Sequence, residues 1–150
     1  MGEAPKVKIG CAWQGGWRES YWKAFGFCEV VTPAEKAPRN KTLERWRADA
    51  PDPAEFVVWI DDIVPVSGFK GEAASEAWTA CLNRAKLLGS QTLALRTPAS
   101  FRPNRDNIDA MSEFLADRIP EGTRVAWWAE GLWEGQAELQ GEVCKSLGLT

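Results

Sequence analysis

The stretch VVWIDDIVP, residues 57–65, runs four apolar residues straight into two adjacent carboxylates, Asp61 and Asp62. With the two residues before it, EFVVWI (55–60) lacks polar–apolar alternation, the pattern of a parallel strand covered on both faces. That reading predicts Trp59 buried in the core of the strand. It also sets both aspartates at the C-terminal end of the strand, where parallel β/α folds hold their ligands. An Asp in that position can equally cap the next turn by accepting backbone N–H bonds.

Working outward, further strands are predicted at VKIGCAW (7–13), FCEVV (27–31), TLALR (92–96) and RVAWWA (124–129). Helical patterns separate them. ESYWKAF (19–25) can form a short helix, and Asn40 can cap KTLERWRADA, which carries Leu43 and Trp46 on one face until Pro51 stops it. The clearest helix holds Trp78, Cys81, Leu82, Ala85 and Leu88 on one stripe, with Gly89 as its stop. NRDNIDAMSEFLADRI places Ile108, Met111 and Leu115 together, and EGQAELQGEVCKSLG (134–148) predicts a last helix weakened by Gly135 and Gly141.

Strand and helix thus alternate along a single domain spanning residues 1–150, with connections too long for hairpins. Parallel strands joined by right-handed helical crossovers follow. Two α/β architectures fit: a partial, barrel-like β/α fold of about five strands, and an open doubly wound parallel sheet. GCAWQGG lacks the spacing of a dinucleotide-binding G-x-G-x-x-G, and no P-loop occurs.

Composition removes several classes of function. The chain has no histidine, which excludes imidazole bases, His-containing triads and His-ligated zinc. A net charge of −3 gives no electrostatic reason for nucleic-acid binding. Cys11, Cys28, Cys81 and Cys144 form no C-x-x-C pair, and Cys28 and Cys81 read as small buried hydrophobes. Neither a signal peptide nor an apolar run of membrane-spanning length is evident, so a cytoplasmic location is expected. Most of the nine tryptophans are expected in the core, where each offers a large apolar area.

The segments IGCAWQGGWRESYW, FCEVV, KTLERWRADAPDPAEFVV, TLALRTPASFRPNRDNIDAMSEFLADRIP and RVAWWAEGLW together resemble the family called domain of unknown function 72, the YecE-like proteins. The resemblance runs over most of residues 7–134 and implies a TIM-type β/α barrel of unknown molecular function. Its departures fall on polar strand ends. Glu29 is kept, but Val31 stands where family members carry Asn, Trp59 where they carry Lys, and Arg96 where they carry Gln. Trp128 and Glu130 replace a Glu and an Arg, while Pro98, Ser100 and Phe101 survive from a Pro-Ser-Phe motif. A ligand held by the family's polar face would therefore be held differently here.

The candidate site is the set of residues at the strand ends: Glu29, Asp61, Asp62, Arg96 and Glu130, with Trp13 and Trp17 in the loop after the first strand. Such carboxylates can hold Mg²⁺ or Mn²⁺ through oxygen and activate water against a phosphoester. Alternatively, the tryptophans can form a stacking floor for a sugar or another small molecule. Glu130 can also simply pair with Arg96 across adjacent strands. Three readings remain open: a small-molecule or sugar-binding protein, a metal-dependent phosphoester hydrolase, and a noncatalytic assembly or scaffold protein. Whether the chain is an enzyme stays open with them.

Length adds one more expectation. A barrel of eight strands needs roughly 200 residues, so five strands leave both edges of the sheet open. VKIGCAW and RVAWWA carry neither proline nor interior charge in their apolar halves, so those edges are expected to pair with a second copy or a partner segment.

Overall fold

The computed structural model describes residues 8–12, 18–31 and 36–150. Strands β1 (Gly10–Ala12), β2 (Phe27–Val30), β3 (Glu55–Trp59), β4 (Thr92–Thr97) and β5 (Arg124–Ala129) form one parallel sheet in the order β1-β2-β3-β4-β5. The order never reverses. A doubly wound sheet requires a reversal, so that alternative is set aside and the arrangement is that of part of a β/α barrel. Between the strands run α1 (Arg18–Ala24), α2 (Asn40–Asp49), α3 (Ile63–Val66), α4 (Glu72–Leu88) and α5 (Arg105–Leu115). After β5 come a 3-10 helix (Gly131–Gly135) and α6 (Ala137–Leu147).

Right-handed crossovers taken always in the same direction lay the helices on one face of the sheet. Burial reports that directly. Phe56, Val58 and Ile60 of the third strand, Leu93 and Leu95 of β4, and Val125, Trp127 and Ala129 of β5 are buried in one core with Leu43, Trp78, Cys81, Leu88, Met111 and Leu115 from the helices. The alternate residues Val57, Trp59, Ala94, Arg96 and Ala126 are only half-buried, and Trp128 is exposed. The strand is thus apolar on both faces but covered by helices on only one among the described residues. This corrects the expectation for Trp59: it occupies the uncovered face, because period-two geometry gives the helix side to Val58 and Ile60.

Local signals account for most helix limits. Helix α4 ends where Gly89 adopts a left-handed backbone (φ 62°), and its stripe of Trp78, Cys81, Ala85 and Leu88 is buried. The Asn104 side chain caps α5 by accepting the Asn107 N–H at 2.9 Å. Asn40 does not cap α2; it is the first helical residue, and Arg39 holds the cap position without a side-chain bond. The last helix starts later than predicted, because residues 131–135 turn more tightly to bury Trp133, whose indole N–H donates to Phe101 O at 2.6 Å. Beyond α6 the chain meets β5 again. Thr150 N–H donates to Val125 O at 2.9 Å, and Trp127 N–H donates to Thr150 O at 2.8 Å, a parallel pairing on the outer edge of β5.

At the other edge, one phenol ties β1 to β2. The Tyr21 hydroxyl accepts the Cys11 N–H at 2.9 Å and donates to Phe27 O at 2.5 Å, with Cys11 O at 3.1 Å. Close approach of these strands requires Gly10, since a Cβ there would stand 2.0 Å from Phe27 O and 2.6 Å from its ring. Gly10→Ala is therefore expected to destabilise the fold by about 1–3 kcal/mol, the usual range for overpacking, measured by urea unfolding.

Candidate functional site

At the C-terminal end of β3 the chain turns sharply into α3. Asp61 makes that turn, its Oδ1 accepting the Ile63 N–H at 3.0 Å. Asp62 does something else. Its Oδ2 meets Arg96 Nη2 at 2.8 Å, an ion pair between the ends of β3 and β4 with side chains 59% and 41% exposed. At that exposure the pair contributes little to stability, and both groups remain within reach of a ligand. The anticipated pairing of Arg96 with Glu130 does not form; Glu130 instead opens the 3-10 helix, its N–H donating to Thr97 O at 3.1 Å.

Glu29 faces the uncovered side of the sheet from β2 and accepts the Trp59 indole N–H at 3.2 Å. Trp59 then meets Trp128 edge to face, ring centroids 6.2 Å apart, across the small Ala94 of the intervening strand. Trp128 is 57% exposed.

Helix α3, a feature absent from the sequence-based reading, buries Val64 and Pro65 and leaves Ile63 and Val66 outward. Phe69 closes the turn after it in a left-handed backbone (φ 60°), with its buried ring packed on Phe101 and Phe114. Between α3, the first half of α4 and the strand ends lies a cleft of about 940 Å³, lined by Val31, Trp59, Asp61, Asp62, Ile63, Val66, Ala73, Glu76, Ala77, Arg84, Arg96 and Trp128 among others. Its size is ordinary for a small-molecule site.

Asp61, Asp62 and Arg96 therefore come together, and Glu29 joins them through Trp59. Glu130 does not line the cleft. Trp13 and Trp17 lie outside the described residues. Among the described residues no group of three acidic or cysteine side chains could hold a metal ion. The proposed Mg²⁺ or Mn²⁺ set of Glu29, Asp61, Asp62 and Glu130 is dispersed, because each of the first three is engaged with a different partner.

Arg84 was missed. It is 5% exposed on α4 and lines the cleft. The signal was present: Arg84 falls three residues after Cys81 and four before Leu88, a charge on an otherwise apolar stripe. Its guanidinium and Asp61 both act on the Cys81 thiol, the first lowering and the second raising its pKa, but burial outweighs both and pushes it up to about 12. Burial does the same to Cys28 and to Tyr21, each pushed up to about 12. Such thiols are inert, since the thiolate is the nucleophile.

No family model matches the sequence, and no curated protein matches it. Solved structures do. A DUF72 family protein from Thermotoga maritima superposes with a TM-score of 0.71 at 19% identity, over 88% of this chain and 52% of its own. Two structures of a DUF72 family protein from Enterococcus faecalis give TM-scores of 0.71 and 0.68 at 14% identity, over 95% and 89% of this chain. The chain has the fold of these proteins and spans 51–60% of their length. Among the described residues no helix is long and apolar enough to cross a membrane.

Two outcomes are expected. Trp59→Phe, which loses the bond to Glu29 but keeps an aromatic ring, should cost about 1 kcal/mol, and Trp59→Ala should stay below the roughly 3–5 kcal/mol of a fully buried aromatic, both by urea unfolding. The second concerns pH. Unfolded thiols ionise near 9, whereas folded Cys28 and Cys81 stay protonated to about 12. Their contribution to stability is full below the unfolded value and is lost as pH rises through this window. The urea midpoint should therefore drop as pH rises from about 9 toward about 12, and drop less in the Cys28→Ala/Cys81→Ala double variant.

Proposed function

We propose that the protein binds a small molecule of the sugar or polyol class in the cleft at the strand ends, without chemistry on it. One observation carries the reading: of the six exposed large apolar side chains among the described residues, four, Val31, Ile63, Val66 and Trp128, gather around this one cleft, beside the Asp62–Arg96 pair. An exposed indole offers a flat apolar surface to the C–H face of a sugar ring. An adjacent carboxylate and guanidinium supply an acceptor and a fork of donors for neighbouring hydroxyls. The dispersed carboxylates give the phosphoester hydrolase reading no comparable support.

The test is a panel of mono- and disaccharides at millimolar concentration, followed by tryptophan fluorescence and by melting temperature. Binding to the folded state must raise the melting temperature. The expected result is a fluorescence change and a raised melting temperature with at least one saccharide. Both should be lost in Trp128→Ala and weakened in Asp62→Asn. No response to any saccharide in either measurement overturns the proposal.

A further inference from the structure

A side chain that serves as a stacking surface gains from holding its plane before the ligand arrives, because ordering a mobile group on binding subtracts from affinity. Trp128 is 57% exposed, and rotation about the bond that carries an indole ring is broad and roughly two-fold. Its backbone therefore fixes little of the ring plane. Among the described residues, the ring that meets Trp128 is Trp59, edge to face with planes 68° apart. Trp59 is paired in register with Ala94, whose methyl leaves room for the two rings to meet across β4. Trp59 is half-buried and has the same two-fold freedom. Its indole N–H removes that freedom by donating to Glu29 Oε2 at 3.2 Å. Turned over, the ring would carry the donor away from the carboxylate and lose the bond.

We infer that Glu29 is a positioning residue for the cleft: by holding Trp59, it sets the plane of the Trp128 indole. Glu29 does not line the cleft, whereas Trp59 and Trp128 both do, so it acts through another side chain and not on the ligand. The relay runs from β2 through β3 to β5, three strands that the sheet alone brings into line. What the indole requires of position 29 is a lone pair, which a neutral amide oxygen also offers. The inference rests on the saccharide reading only for the nature of what stacks on Trp128. The orientation of the ring is measurable without any ligand.

The test uses the full chain labelled with fluorotryptophan, the Trp128 line in its fluorine NMR spectrum being identified by its loss in Trp128→Phe. The wild type should give one narrow line. Glu29→Leu, which has no acceptor, should broaden or split that line, and Glu29→Gln should restore it. Trp59→Phe keeps a ring but loses the N–H, so it should reproduce the Glu29→Leu pattern, and it serves in its place if Glu29→Leu fails to fold. Glucose, galactose, maltose and cellobiose are then titrated into each protein. Any of them that binds the wild type should bind Glu29→Leu about three- to tenfold more weakly, and Glu29→Gln within about twofold of wild type. A merely structural Glu29 would lower the melting temperature of Glu29→Leu and leave the Trp128 line and the affinity unchanged, and that result overturns the inference. So does a Glu29→Gln variant that behaves like Glu29→Leu. If none of the four saccharides binds the wild type, the saccharide reading falls, and the fluorine spectra alone decide whether Glu29 sets the ring.

Discussion

Crossover handedness is the constraint from which the rest of the molecule follows. Each β/α unit turns back to the sheet in the right-handed sense, and each new strand is laid beside the last in the same direction. Helices accumulate on one side, and the C-terminal ends of all strands come out on one rim. Both consequences shape the site. The rim collects Asp61, Asp62 and Arg96 from two strands distant in sequence, and the side without helices exposes Trp59 and Trp128 beside them.

The aspartates of VVWIDDIVP turn out to divide two roles between adjacent positions. Asp61 spends its oxygen on the backbone of the next turn, and that turn starts the short helix that forms one wall of the cleft. Asp62, one residue on, points to the neighbouring strand and meets Arg96. The first builds the cleft and the second gives it polarity. Arg84 adds a buried positive charge from α4, the helix on the opposite wall.

Element order, the α4 stripe with its Gly89 stop, and the buried Cys28 and Cys81 were all legible in the sequence, because each rests on periodicity or on a single conformational preference. Trp59 was not. Alternation fixes which residues share a face, but when both faces are apolar it does not say which one the helices take. Helix α3 was hidden because IVPV is short and holds a proline, and proline is at home in the first turn of a helix. The partner of Arg96 was illegible for a different reason. Glu130 and Asp62 lie at comparable places after flanking strands, and the sequence does not show that the chain turns into the 3-10 helix at Glu130 while Asp62 meets Arg96. The role of Tyr21 depends on α1 setting its hydroxyl between two strand backbones, and no local pattern marks that.

The strictly sequential strand order has a consequence for how the molecule holds together in time. Every strand pairs with its immediate neighbours along the chain, so sheet formation needs no contact between distant units, and the entropy of closing large loops is largely avoided. In this respect the sheet behaves like a repeat array, in which stability is approximately a sum over units and their nearest-neighbour seams. Opening should then proceed from an end inward, one β/α unit at a time. The three-residue β1, held through the Tyr21 hydroxyl, is the unit with the least to lose. Cooperativity is consequently graded along the chain, with its most extensive seam between β4 and β5, which pair over the full length of both strands.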